Sequence, residues 1–228
     1  MNILSVDTST KRCFVALKGD DFYLERIIEG GFSPSEDLLH EIKDMLSRKG
    51  LSLTDLDLLV ATKGPGSFTG LRIALATLKG IRAASDRAKL VSVPTLDVMA
   101  KAASIPSLPV LPVIDARKGR YYAALYRNGE CIIPPGDISL DKLAENLPKE
   151  KIVVTGSDAC KALDTLKGLG VDASLDEASP RPLSDALIAL GLEKLEKVGE
   201  DDIGEGPEYI RKSDAEEALE KKAKGEGK

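Results

Sequence analysis

Ile3-Leu4-Ser5-Val6-Asp7-Thr8, near the start of the chain, and Pro112-Val113-Ile114-Asp115-Ala116, in its middle, follow one pattern: an apolar strand that ends in an aspartate and a turn. Laid over one another the two aspartates coincide, and without a gap Leu17 falls on Leu125. What flanks them repeats as well. After Asp7 come two strand-like runs, 13–17 and 22–28, at the short spacings of an antiparallel meander. After Asp115 comes a hairpin, 120–127 and 130–133, across Asn128-Gly129, a pair that suits a two-residue turn. Strand, aspartate, turn and strand, met twice, suggest a duplicated α/β domain with a cleft between its halves. Chance likeness between two ordinary strand-turn-strand units is the competing reading.

The remaining pattern alternates helix and strand. Ser35 is a good N-cap for a helix to residue 48 with the stripe Leu38, Leu39, Ile42, Met45, Leu46, and Gly50 stops it. A strand at 58–62, a helix at 68–84, a strand at 90–93 and a helix at 95–103 complete the first half. Pro106 and Pro109 mark a linker. In the second half Pro112 suggests an irregular or edge strand. A helix at 140–147, a strand at 152–155 and a helix at 159–166 follow. A last helix runs from Pro182 to about Lys197, then an acidic loop at 199–206 and a short extended piece at 207–211. Residues 215–228 mix Glu and Lys and read as a frayed or disordered tail.

The chain has 228 residues, 43% hydrophobic and 30% charged, which suits one large or two small domains. Its formal net charge of −5 lacks the basic excess of a protein that grips nucleic acid alone, so any such role is indirect. Cys13, Cys131 and Cys160 are scattered and read as buried thiols of a reducing compartment. No signal segment and no membrane-length apolar run is present, so the expected location is the cytoplasm. His40 is the one histidine, which disfavours a conventional transition-metal site and a Ser-His-Asp arrangement. It sits beside an apolar stripe and reads as a structural or surface residue.

Gly64-Pro65-Gly66-Ser67-Phe68-Thr69-Gly70-Leu71-Arg72 joins the strand at 58–62 to the helix at 68–84. It is not a Walker loop, because Leu71 stands where the lysine should, and a dinucleotide fingerprint would need glycine at Thr69. A tight turn with Ser67 or Thr69 as N-cap is the plainer reading. The helix that follows has a leucine stripe (Leu71, Leu75, Leu78) and a second stripe of mostly small residues (Thr69, Ile73, Ala76, Gly80, Ala83). Two apolar faces mean either a helix covered by its own domain or a partner surface. Asp7 and Asp115 could hold a metal-nucleotide in the cleft, or could simply close two turns. The second half offers only Gly156 as an adenosine loop, which favours the turns. Arg117, Lys118 and Arg120 form a small basic cluster that could face an acidic partner or RNA, or be merely solvated.

Four blocks, Ile3 to Ser9, Gly64 to Arg72, Asp115-Ala116-Arg117 ahead of Tyr121-Tyr122, and Pro207-Glu208-Tyr209-Ile210-Arg211, resemble the TsaB (YeaZ) family in order and over almost the whole chain. The resemblance implies an actin-like ATPase fold: a ribonuclease-H-like half at 1–105, a reduced one at 106–212 and a charged tail at 213–228. It implies a bacterial, cytoplasmic, non-catalytic subunit of the machinery that makes N6-threonylcarbamoyladenosine beside the tRNA anticodon. Such a subunit pairs with and activates the transferase TsaD, is joined by the ATPase TsaE, meets tRNA only through the complex, and self-associates through the same surface. It has no catalytic residue, metal or cofactor of its own; ATP or ADP belongs to the assembled complex, with Asp7 and Asp115 as weak candidates here.

The implied interface is the helices at 35–49 and 68–84, with Leu39, Ile42, Leu46, Phe68, Thr69, Leu71, Arg72, Leu75, Ala76 and Lys79. On that expectation Leu75→Glu abolishes pairing without unfolding the chain. One departure is visible: many members open the first helix with a His-Ser/Thr pair, where this chain has Pro34-Ser35 and carries His40 further on. The alternatives are a stand-alone actin-like ATPase or kinase using Asp7 and Asp115, and a glycoprotease, which the single histidine disfavours.

Overall fold

Two five-stranded sheets, built to one plan, organise the chain. In the computed structural model, which describes residues 1–29, 34–85, 87–103, 105 and 107–211 (without the side chains of 34–36), β1 (Ile3–Asp7), β2 (Cys13–Lys18) and β3 (Tyr23–Ile28) form the expected meander. β4 (Leu58–Gly64) lies parallel to β1, and β5 (Lys89–Pro94) parallel to β4, giving the order β3-β2-β1-β4-β5. The second sheet contains β6 (Val110–Asp115), β7 (Tyr121–Arg127), β8 (Glu130–Ile138), β9 (Ile152–Thr155) and β10 (Ala173–Leu175). Its order, β10-β9-β6-β7-β8, is the first read backwards with each strand in the matching place. β6 is antiparallel to β7 and parallel to β9, as β1 is to β2 and β4. Two ribonuclease-H-like units are therefore present, and Asp7 and Asp115 close equivalent strands.

The helices repeat too: α1 (Pro34–Ser47), α2 (Phe68–Ala83) and α3 (Thr95–Ala102), then α4 (Leu140–Ala144), α5 (Ala159–Gly168) and α6 (Ser184–Lys197). Strand alternation explains where they pack. Leu4 and Val6 of β1 point to one side, into a core with Leu38, Ile42, Met45 and Leu46 of α1 and Ala74, Leu75 and Leu78 of α2. Ile3 points to the other side, into a core shared by both sheets with Leu96 and Met99 of α3 and Leu187 and Ile188 of α6. The outer face of the second sheet packs on α4 and α5 through Leu140, Leu143, Ala162 and Leu166.

Some expectations are corrected. Of the two readings of Pro112, irregular or edge, the first holds: β6 is the central strand of its sheet, and Pro112 sits where its pairing with β7 lapses between Val110 and Val113. β10 carries no legible signal in three residues. Only Cys13 is buried; Cys131 lies on the edge strand β8 and Cys160 on the outer side of α5, both exposed. His40 is exposed. α1 begins at Pro34, so Ser35 lies within its first turn and is not the N-cap; the tail at 213–228 lies outside the described residues.

Candidate functional site

Asp7 is completely buried where β1 meets β4. The Ser9 amide (2.9 Å) and the Thr62 hydroxyl (2.7 Å) both donate to its Oδ1. Its Oδ2 is buried without a hydrogen-bond partner among the described residues. Burial raises its pKa above the ordinary carboxylate value, against the lowering effect of those hydrogen bonds. Asp115, the equivalent residue, is in the opposite situation. Lys161 Nζ donates to its Oδ2 at 2.8 Å and the Arg117 amide to Oδ1 at 2.7 Å, and these hold its carboxyl below the ordinary value, Lys161 foremost. Between the halves, Thr10, Arg12, Gly156 and Arg181 line a small, partly open pocket that neither Asp7 nor Asp115 lines.

The glycine block closes the Asp7 turn from the other side. Ser67 N donates to the Ser9 carbonyl at 2.6 Å, and Thr8 Oγ1 donates to the Gly70 carbonyl at 2.7 Å. A Cβ at Gly66 would collide with the Ser9 carbonyl oxygen and one at Gly70 with the Thr8 carbonyl oxygen. The group whose close approach the glycines permit is thus the chain's own backbone. Gly70 N donates to Ser67 Oγ at 3.2 Å, which caps α2. Gly70→Ala is expected to lower stability by about 2 kcal/mol, since the obstacle is backbone that cannot swing aside. Urea unfolding measures it, and an unchanged midpoint would contradict the packing described.

α2 divides its predicted residues between core and surface. Leu71 and Leu75 are buried, 0% and 4% exposed, and Ile42 and Leu46 of α1 are buried with them. These four hold the α1–α2 layer on the sheet and present nothing outward, so the expectation that Leu75→Glu leaves the fold intact is corrected: a carboxylate there would be buried unpaired. Thr69, Arg72 and Ala76 are exposed, with Gly80 and Ala83 further along the same face, and Leu39 of α1 is 39% exposed. Phe68 and Lys79 are half-buried.

What half-covers them is the segment 200–211, which the sequence shows only as a loop and a short extended piece. The Tyr209 ring stacks on Phe68 with centroids 4.8 Å apart, and Arg72 Nε donates to the Tyr209 hydroxyl at 2.8 Å. Lys79 Nζ donates to the Glu205 carbonyl, and Glu208 N donates to the Lys63 carbonyl at 2.7 Å. Two of the blocks that carry the family resemblance, Gly64–Arg72 and Pro207–Arg211, therefore meet in space. Single-sequence periodicity holds no signal for such a contact; Tyr209, the one aromatic of a mostly polar segment, is a hint.

Among the described residues no group of three or more His, Cys, Asp or Glu side chains could hold a metal ion. No helix among them is long and apolar enough to cross a membrane.

A family model described as "TsaD: tRNA N6-adenosine threonylcarbamoyltransferase" matches residues 33–173. The chain is similar to the tRNA threonylcarbamoyladenosine biosynthesis protein TsaB of Escherichia coli (strain K12), 36% identical over 132 residues, which is 57% of each chain. It is also similar to the protein of that name from Bacillus subtilis (strain 168), 29% identical over 95% of this chain and 96% of that one. The match thus spans little more than half of the first relative and nearly all of the second. Among solved structures, YeaZ from Pseudomonas aeruginosa superposes with a TM-score of 0.73 at 23% identity, over 91% of this chain and 99% of that one. A second structure, an uncharacterized protein with similarity to peptidase YEAZ from Pseudomonas aeruginosa, gives 0.76 at 24%, over 92% and 99%. At these identities the two structures speak for the fold.

Proposed function

The chain belongs to the family that the TsaD model describes and, within it, to TsaB, whose members are named for tRNA threonylcarbamoyladenosine biosynthesis, and on that premise we propose that it is a non-catalytic partner that pairs with and activates TsaD. TsaD performs the transfer to the tRNA adenosine; this chain supplies a rigid face. The observation that carries the reading is the pairing of a closed carboxylate site with an open helix. Asp7 is fully buried, with its Oδ1 taken by the Ser9 amide and the Thr62 hydroxyl, whereas α2 turns Thr69, Arg72, Ala76, Gly80 and Ala83 outward. Small residues on an exposed helix let a second helix approach closely, and Leu39 of α1 extends the face.

In this reading the half at 1–105 bears the interface and the half at 106–212 completes the scaffold. TsaE joins the assembled pair, ATP or ADP binds only there, tRNA is met through TsaD, and two copies of this chain pair through the same face when TsaD is absent. All of it takes place in the cytoplasm.

Reconstitution tests this directly. Purified TsaD and TsaE with the enzyme that supplies threonylcarbamoyl-adenylate are expected to modify tRNA at least about tenfold faster with this chain present than without it. Modification at the same rate without the chain would overturn the proposal. Steady ATP turnover by the isolated chain, lost in Asp7→Asn, would replace it with an actin-like ATPase.

A further inference from the structure

Residues 200–211 form a strap, without helix or strand, that crosses from the first half to the second. Its near end is fixed to β5 and α6. Asp201, 6% exposed, donates its amide to the Leu90 carbonyl at 2.8 Å and its carboxylate accepts from Ser92 Oγ and Lys194 Nζ. Its middle is fixed to the first turn of α2 by the Phe68–Tyr209 stack, with the Arg72 guanidinium 3.9 Å from the Phe68 ring centre. Its far end belongs to the second sheet. Arg211 donates to the Ala116 carbonyl at 2.9 Å and lies 3.5 Å from Asp137, which also accepts from Arg120 Nε at 2.8 Å.

Where the strap lands, the backbone is strained. Arg117, Lys118 and Gly119 follow one another in the left-handed region, with φ of 65°, 56° and 72°. Only glycine takes that conformation freely, and the other two residues each cost on the order of 1–2 kcal/mol there. Such a turn persists because its surroundings over-determine it. The restraints here are the Arg117 amide on Asp115 (2.7 Å), the Ala116 amide on the Arg120 carbonyl (2.9 Å), Arg120 on Asp137, and the strap's own Arg211. Loosening these restraints favours relaxation of the turn toward a less strained conformation.

We infer that the strap is a mechanical link, through which whatever touches the Phe68–Arg72–Tyr209 cluster on α2 sets the conformation of the strained turn 116–120 in the other half. Tyr209 is 38% exposed, so a protein seated on the outer face of α2 over Arg72 meets its ring. Two residues further on, Arg211 holds the Ala116 carbonyl. The basic tip, Arg117 and Lys118, is then presented in one geometry when the strap is seated and released when it is not. This last step, from bound partner to turn, rests on the TsaD-pairing reading; the link itself is a property of the chain alone.

Hydrogen–deuterium exchange on the full chain tests the link. Tyr209→Ala is expected to speed exchange of the amides at 116–121 about tenfold, while the amides of β9 and α5 keep their rates. Arg211→Gln, which removes the far contact directly, gives the same rise and serves as the test should Tyr209→Ala fail to fold by circular dichroism. Acceleration confined to the strap, with 116–121 at wild-type rates in both variants, would overturn the inference. Adding TsaD to the wild type is expected to shift exchange at 116–121, and to leave it unshifted in Arg211→Gln. Absence of a complex by size exclusion would count against TsaD pairing, while the exchange of the isolated variants still decides the link.

Discussion

Asp7→Ala lowers the stability of the chain by about 3 kcal/mol, whereas Asp7→Asn leaves it within about 1 kcal/mol of the wild type. The carboxylate is buried and its Oδ1 accepts from the Ser9 amide and the Thr62 hydroxyl. Alanine leaves both donors buried without a partner, each at a cost of about 1–3 kcal/mol. Asparagine keeps an acceptor for Ser9 and Thr62; its amide N–H groups fall where Oδ2 has no partner, and that cost is offset because no charge is buried. The pH dependence follows from the direction of the shift. The folded-state pKa of Asp7 is raised, so the native state holds its proton to higher pH than the unfolded chain does. The contribution is therefore fully present below the unfolded value, near 3.8, and is lost as pH rises through the folded value. Wild type minus Asp7→Asn stability is expected to fall as pH rises from about 4, in urea titrations at a series of pH values. A flat difference would show that the fold does not shift Asp7, and one that grows with pH would show that Asp7 is stabilised as a charge, reopening it as a site for a cation or nucleotide.

This structural role for Asp7 is where sequence and structure inform one another most. The repeat that matches Asp7 with Asp115 is legible because strand, aspartate and turn leave a local pattern, and the sheet orders reproduce it. That the two aspartates live in opposite environments is not legible, because it depends on Thr62 and Lys161, each brought in from a different strand or helix. The block Gly64–Arg72 shows the same division. Its spacing excludes a phosphate loop, but only the fold identifies what comes close to Gly66 and Gly70, namely the carbonyls of Ser9 and Thr8. For α2, periodicity finds both stripes without telling which one is covered: leucines pack on the sheet and small residues face outward. β10 and the strap were beyond reach for a simpler reason. Three residues hold too little pattern, and a segment fixed by ion pairs and one aromatic stack has no period at all.

The exposed stripe gives the largest expected effect on binding. Ala76→Arg is expected to weaken pairing with TsaD at least about 100-fold, equivalent to about 2.7 kcal/mol, while leaving thermal stability within about 2 °C. Ala76 lies on the outer face of α2, exposed, one turn beyond Arg72 and one turn before Gly80. Helices that pack through small residues approach to about 8 Å between axes, and an arginine at the centre of such a contact forces them apart or buries a charge. Leu75, its neighbour in sequence, faces the opposite way into the core at 4% exposure, so Leu75→Glu is expected to unfold the first half and cannot report on pairing. Thr165→Arg, on the exposed side of α5 in the other half, is the matched control for added charge and is expected to pair normally. Fluorescence anisotropy of labelled TsaD against each variant gives the affinities, and sedimentation velocity of the chain alone reports its self-association. If one face serves both partners, Ala76→Arg abolishes the two together. An Ala76→Arg variant that binds TsaD within threefold of the wild type would place the interface elsewhere on the molecule, and the open face of α2 would then need another occupant.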